Sequence, residues 1–408
     1  MTETVRSTVS WSGPQEDETE GAPDSGTPQR LPLLDVLRGT AILGTLMTNV
    51  WIFTGPGAEW GVLEADGGAT LGGLLRDPTP ALAVESVFRF LADGKFLSLL
   101  TLLFGVGLAI QFDAAARRGR PWPGRYRRRA LFLLAEGTVH FVLVFAWDVL
   151  MGYALTALLV ARLLNCSARL RNRVMWTAAG LHVAVMTLLG LAALGSDGDG
   201  SSSTGPDREA ADLYAHGGYL AQIAFRLHHA LVLRMEPVLS FGLLLFLFLL
   251  GVRLHRAGAF APSAAGHRLR VRLAAWGLGL GLPLNAAASL ADAYLLGRYV
   301  AAPVVALGYL GLIGVLMDRL PRPGPLTRSL TSVGRMALTC YVAQNVLCVL
   351  ACYGIGLGLA DHFAGTGPWW VLALWATVCL TLVTASTLWM RRFSAGPLES
   401  LQKRLLRG

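Results

Sequence analysis

The sequence predicts an all-α protein, a polytopic helical membrane bundle of about ten transmembrane helices with both termini cytoplasmic. Three observations predict it. The chain of 408 residues is 53% hydrophobic and 15% charged, with a mean hydropathy of +0.51. That is too apolar for a soluble protein of this size. Apolar runs long enough to cross a bilayer core, about 20 residues each, recur along its length. Arginine collects in alternate connections between those runs. One helical domain over residues 31–390 is expected, not several separate ones.

Residues 1–30 are acidic, rich in Pro, Gly and Ser, and nearly free of large apolar side chains. They read as a disordered tail. No basic region followed by an apolar core occurs there, so the first span is expected to act as its own insertion signal. The spans then fall at 31–53, 88–112, 129–147, 148–165, 173–195, 236–254, 270–289, 299–317, 331–354 and 368–390. The third and fourth are separated by almost nothing, at AWDVL. Residues 217–235 are shorter and carry charges; they read as an amphipathic helix at the surface or entering the bundle. SDGDGSSSTGPDRE lacks the spacing of a calcium loop and reads as a flexible outer connection. Leu398, Leu401 and Leu405 fall on one face of 391–408, a cytoplasmic amphipathic tail.

The loop charges set the orientation. Seven arginines lie within 113–130, four within 162–173, five within 253–272 and four within 318–335. The alternate connections, 54–87, 196–216, 290–298 and 355–367, are poor in arginine. Basic loops face the cytoplasm. Both termini are then inside, which requires an even number of spans, and the expected location is the cell membrane, multi-pass. The formal net charge of +9 does not point to nucleic acid, because the arginines are dispersed between apolar runs. Lysine occurs only as Lys95 and Lys403. The five cysteines form no C-x-x-C pair, and no disulfide framework or metal site is expected.

Several spans carry side chains that lipid rejects. In LLDVLRGTAILGTLMTNVWIF, Asp35, Arg38 and Asn49 lie within about 60° of one another around a helix axis. Asp35 and Arg38 are spaced to pair at i, i+3. In the third span Arg129, Glu136 and His140 lie within about 40°, and Glu136 and His140 are spaced to hydrogen-bond. Asp148 follows at the outer mouth. If this helix runs straight, His140 lies about 10 Å below the level of Trp147. The second span brings Lys95, and the ninth brings Arg335, Tyr341, Gln344 and Asn345. The simplest arrangement has these groups share one cavity. Plainer readings stand beside it: Asp35–Arg38 as a helix-end ion pair, Arg129 and Arg335 as topology charges that snorkel, and Asn49, Gln344 and Asn345 as helix bridges. His182 reads as a core residue. His228 and His229 point in different directions and do not suit a metal.

LDVLRGTAILGTLMTNV, DGKFLSLLTLLFGVGLAIQ, EGTVHFVLVFAWDVLMGYAL, GRMALTCYVAQNVL and GPLESL occur in order from 33 to 401. Together they resemble the bacterial YeiB-like family, whose signature is catalogued as domain of unknown function 418. That family is distantly similar to transmembrane acyltransferases such as heparan-glucosaminide N-acetyltransferase, which moves an acetyl group across a membrane onto an amino sugar. The similarity rests on Asp35-x-x-Arg38-Gly39 followed by Asn49, and on Trp147-Asp148. In that relative the proposed catalytic histidine lies in the outer loop after the first span. Here the loop reads TGPGAEWGVLEADGG and has no histidine. Either the chemistry uses another base, or the fold has been turned to another task.

The resemblance implies acyl transfer from a cytoplasmic thioester donor to an acceptor hydroxyl or amine at the outer face. His140 is the candidate base, with Glu136 orienting it or Asp148 fixing the acceptor. Lys95 or Asn49 would supply the oxyanion contact. Asp35, Arg38, Arg335, Gln344 and Asn345 are candidate binding residues, the arginines for donor phosphates. No permanently bound cofactor is expected; acetyl-CoA or another acyl-CoA would serve as co-substrate. Membrane lipids, a small-molecule donor and acceptor, and a second copy of the chain are the expected partners. A transporter or exporter of a small solute is the competing reading, with Glu136, His140 or Asp35 relaying protons. A purely structural or sensory protein is a weaker third.

Overall fold

Long apolar stretches without water must satisfy their own backbone, and helix is the arrangement that does so within one segment. The computed structural model describes residues 31–406 apart from 56, 65–68, 196–205 and 321. The tail 1–30 and most of the SDGDGSSSTGPDRE connection lie outside the described residues. Among the described residues there is no strand. The principal helices are α1 (Pro32–Thr54), α2 (Pro80–Ala92), α3 (Lys95–Arg117), α4 (Gly124–Leu143), α5 (Leu150–Leu163), α6 (Ala168–Gly195), α7 (Pro206–His216) and α8 (Tyr219–His228). They continue as α9 (Phe241–Arg256), α10 (Ala264–Leu290), α11 (Ala302–Arg319), α12 (Pro325–Arg335), α13 (Ala337–Cys352), α14 (Trp369–Arg392) and α15 (Pro397–Leu405).

Among the described residues, six helical runs are long and apolar enough to cross a membrane: α1, α2 with α3, α6, α10, Tyr294–Arg319 and α14. A seventh run, α12 with α13, bends by 88° at its break. The other expected spans coincide with helices of a different character. The span 129–147 falls on α4, whose first turns carry Arg125, Arg127, Arg128 and Arg129. The span 148–165 falls on α5, of 14 residues, and 236–254 on α9, of 16. Those lengths correspond to roughly 21 and 24 Å, against a hydrocarbon core of about 30 Å.

The helices form a centre and a periphery. In α1 and the α2–α3 run, 56% of the most apolar stretch is buried; in α10 the figure is 17% and in α14 22%. The outer surfaces carry Leu181, Leu188 and Leu191 on α6, Trp276, Leu280 and Leu284 on α10, and Leu380 and Leu388 on α14, all exposed. A protein in water does not display apolar surface on this scale. The outer helices are lipid-facing, and the molecule is a membrane protein.

Close backbone contact holds the centre. Gly39 of α1 and Gly334 of α12 meet with no space between them: a Cβ on Gly334 would overlap the Asp35 carbonyl, and one on Gly39 the Leu330 carbonyl. Small residues of this kind let helices approach closely where lipid supplies no hydrophobic drive. At the start of α3, Gly94 has φ +75°, and a Cβ there would overlap the Arg298 carbonyl. Both its left-handed backbone and that contact require glycine. The tail also takes part. Glu399 of α15 accepts hydrogen bonds from the amides of Leu338 (2.9 Å) and Thr339 (3.2 Å) and from the Thr339 hydroxyl (2.6 Å). It therefore caps the first turn of α13.

Gly334→Val should lower stability by about 1–3 kcal/mol through overpacking. Gly279 faces open space, so Gly279→Ala should be neutral or raise it by up to about 1 kcal/mol. Thermal unfolding of the two detergent-solubilised variants checks both; equal behaviour would mean that the α1–α12 contact does not hold the centre.

Candidate functional site

The most organised polar cluster lies where α4 ends. The expected straight helix through Trp147 does not form. α4 stops at Leu143, and the chain folds back through 144–149 before α5 begins. This return brings Asp148 to His140, with Oδ1 3.2 Å from Nδ1. Both side chains are buried, at 0% and 2% exposure. Asp148 Oδ2 meanwhile accepts hydrogen bonds from the amides of Leu150 (3.0 Å) and Met151 (3.4 Å), capping α5. Tyr341 of α13 donates its hydroxyl to Oδ1 at 3.3 Å. Arg234 donates to the Asp148 carbonyl (2.8 Å) and holds its guanidinium 3.9 Å from Oδ2. One carboxylate thus terminates a helix and orients an imidazole.

The imidazole is held on its other side too. Asn345 Nδ2 lies 3.3 Å from His140 Nε2, and the Tyr341 ring packs at 5.5 Å between centroids. The Asp148 carboxylate lies within ion-pair distance of Nδ1, which has no aligned hydrogen bond among the described residues. A carboxylate on one side of the ring and an amide on the other make His140 a candidate base.

The fold-back itself is fastened by a buried ion pair that the sequence reasoning did not single out. Glu59, in the connection after α1, receives Arg226 of α8 through Nε and Nη2, each at 2.9 Å. Both side chains have 0% exposure. Glu59 also accepts from the hydroxyls of Tyr214 and Tyr353 and from the Ala146 amide, all at 3.1 Å. Its carbonyl accepts from Trp147 Nε1 at 2.7 Å. The signal for Arg226 was a lone arginine in IAFRLHH, within a segment read as amphipathic. Glu59 gave none, being one acid in a loop.

The remaining candidates do not share one cavity with His140. Glu136, expected to bond to His140, does not: both its oxygens are buried without a hydrogen-bond partner. His140 turns instead to Asp148, which the fold-back delivers to its ring. Asp35 and Arg38 pair at 3.6 Å in the first turns of α1. There the Arg38 guanidinium lies against Gly107 of α3. Asn49 is half-buried on α1, one turn beyond Thr45, to which Gln344 of α13 donates at 3.5 Å. Arg335 donates to the Ser394 carbonyl at 3.1 Å. Lys95 stands at the start of α3, buried, with Nζ donating to the Asp93 carbonyl at 3.2 Å. His182 is buried as expected, its Nε2 3.2 Å from the Tyr299 carbonyl.

Two clefts border these groups. The first, about 530 Å³ of atom-free space with its open mouth included, is walled by Asp148 and Val149, by Leu243, Leu244 and Leu247 of α9, and by Glu236, Arg298 and Tyr299. Glu236 accepts from Arg298 (3.2 Å) and from the Tyr299 hydroxyl (2.7 Å). Arg298 and Tyr299 lie in a π-helical turn, Gly297–Ala301, an irregularity that often accompanies functional sites. The second cleft, about 410 Å³ of atom-free space with its open mouth included, has a largely apolar wall that also carries Lys95, Asp93, Asn285 and Asp292. Asp292 sits between α10 and Tyr294, outside the spanning helices. Hydrogen bonds from Arg76 (2.6 Å) and from Thr70 hold its carboxyl below the usual range.

Fold and site together define a helical membrane protein with a histidine–carboxylate pair buried at one end of its bundle. The chain belongs to the YeiB-like family. The family described as "Protein of unknown function (DUF418)" matches residues 254–408. The chain is 31% identical over 395 residues to "Uncharacterized protein YeiB" of Escherichia coli (strain K12), covering 92% of this chain and 96% of that protein. It is 26% identical over 394 residues to "Uncharacterized protein YxaH" of Bacillus subtilis (strain 168), covering 92% and 94%. No solved structure matches it.

Removing one partner of a fully buried ion pair leaves the other charge uncompensated, a loss of about 3–5 kcal/mol. Arg226→Met should therefore lower the unfolding temperature sharply, whereas Arg76→Met, at an exposed pair, should change stability by less than about 1 kcal/mol. Equal effects in thermal unfolding would show that the buried pair does not fasten the fold-back.

Proposed function

We propose that the protein is a membrane-bound acyltransferase, moving an acyl group from a cytoplasmic thioester donor to an acceptor hydroxyl or amine at the outer face. The observation that carries the reading is the buried Asp148–His140–Asn345 alignment. His140 Nε2 takes the proton from the acceptor as its oxygen or nitrogen attacks the thioester carbonyl carbon. The resulting oxyanion is met by the Asn345 amide N–H or the Tyr341 hydroxyl. Collapse breaks the carbon–sulfur bond, and the leaving thiolate recovers the proton from the imidazolium. Asp148 keeps the ring in the productive tautomer and stabilises its charged form. Acetyl-CoA or another acyl-CoA fits the donor role, with Arg38 and Arg335 near the basic face for its phosphates.

The same reading takes the chain as ten spans with both termini in the cytoplasm, placed in the cell membrane. The alternation of arginine-rich and arginine-poor connections supports it. On this orientation the Asp148 turn and the Glu59 connection lie on the outer side, and Asp35, Arg38 and Arg335 on the inner. Transport of a small solute competes, drawing on Glu136 as a carboxyl whose oxygens are unpartnered.

His140→Ala should lower thioester-dependent acyl transfer by about 10²–10⁴-fold, measured on the fraction that remains folded. Glu136→Gln should leave it within about tenfold, because Glu136 does not touch the imidazole. The measurement is release of free thiol by purified protein in lipid nanodiscs, across a panel of acceptors. A His140→Ala protein as active as the parent would remove the assignment. Solute movement into vesicles without chemical change would favour transport.

A further inference from the structure

We propose that the cleft walled by Lys95, Asp93 and Asn285 binds a hydroxyl-rich ligand, a polyol or sugar, presented as a free solute or as a lipid headgroup. The inference concerns binding and stands apart from the assignment of acyl transfer. It rests on which polar groups around the cleft are already engaged and which are left over.

Most of the charge in the cleft wall is engaged within the protein. Arg89 is paired with Glu85 at 2.7 Å and lies over the Trp51 ring at 4.6 Å. Arg298 is held by Glu236 at 3.2 Å and donates to the Tyr294 hydroxyl at 2.9 Å. Asp292 is met by Arg76 and Thr70. The Ser289 hydroxyl accepts from the Leu71 amide at 3.0 Å.

Three groups remain. Lys95 is 1% exposed, carries three N–H donors, and among the described residues makes one hydrogen bond, to the Asp93 carbonyl. Its ammonium otherwise rests over the Phe90 ring at 5.2 Å. Asn285 is 4% exposed; its Nδ2 donates to the Gly297 carbonyl at 3.1 Å, and its Oδ1 has no partner. Asp93 Oδ1 is likewise buried without a partner. Groups left in this state are expensive unless something meets them.

The kind of group left over selects the ligand. An inorganic anion such as phosphate offers mainly acceptors. It would satisfy Lys95 and leave Asn285 and Asp93 facing further acceptors. A simple cation would do the reverse. A hydroxyl both donates and accepts, so adjacent hydroxyls can accept from Lys95 while donating to Asn285 Oδ1 and Asp93 Oδ1. The rings of Phe90 and Tyr294 in the same wall offer flat apolar surface to the C–H face of such a ligand. The cleft opens outward, so a ligand need not fit wholly within it; its atom-free space, open mouth included, is about 410 Å³.

Sequence composition supplies the test. Lys95 and Lys403 are the only lysines, and Lys403 is exposed in α15. The full chain in phosphatidylcholine nanodiscs is treated with limiting acetic anhydride, and acetylation of each lysine is followed by mass spectrometry. Maltose at about ten times its Kd should slow labelling of Lys95 by about tenfold and leave Lys403 unchanged; inorganic phosphate should protect neither. Discs containing a glucosyl diacylglycerol form the second arm. Protection by either source supports the site, and which source acts distinguishes solute from headgroup. Asn285→Leu should label at Lys95 as the parent does but lose the protection. Equal labelling with and without both sugars, equal protection by phosphate, or failure of Lys95 to label at all would each overturn the proposal.

Discussion

A carboxylate removed from water must be met by donors, and at one end of this bundle that constraint decides where the chain goes. Asp148 is met by two amides of α5, a tyrosine hydroxyl and an imidazole. Glu59 is met by a guanidinium, two tyrosine hydroxyls and a backbone amide. Neither acid can be relocated without stranding several partners at once. Between them they fix residues 144–149 against α1, α8 and α13. That fixed return sets Asp148 beside His140.

The same constraint explains why the polar groups of the spans do not pool into one chamber. Each helix brings its charges to a different depth, and each charge finds the nearest group that can offset it. Asp35 and Arg38 do so within one turn of α1. Glu236, Arg298 and Tyr299 do so across the base of α9 and the π-helical turn. Local satisfaction is the cheap solution in a medium without water. Groups that depart from it therefore stand out, among them Glu136, His140 Nδ1, Gln222, Gln344 Oε1, Asn345 Oδ1, Asn285 Oδ1 and Asp93 Oδ1.

Much of this was legible in the residues. Helical class and membrane character followed from the length and recurrence of apolar runs, and the candidate base from an ionisable pair inside one of them. The partnership of His140 was misread. Spacing along a helix names Glu136 as its neighbour, but it cannot foresee that the helix ends at Leu143 and delivers Asp148 to the same ring. AWDVL carries no glycine or proline to announce a turn; the turn is made by Glu59 and Arg226, 167 residues apart in sequence. Asn345 was legible as a polar residue at depth, though not as the second contact of the imidazole. Glu59 and Arg226 were not legible, because a buried ion pair between a loop and a distant helix has no local pattern.

The segment between α8 and α9 joins the two sites mechanically. It is built of short turns, Ala230–Leu233 and Met235–Leu239, not of a continuous helix. Two residues apart, it sends Arg234 to Asp148 and Glu236 to Arg298. Arg298 in turn stands in the walls of both clefts. Short helices of this kind have little stability of their own and hold their place through such contacts. Asp148 itself stands in the wall of the first cleft, and Arg234 and Glu236 tie that wall to Arg298, which belongs to both. The surroundings of the histidine–carboxylate pair and those of Lys95 are thus joined through a single short stretch of chain.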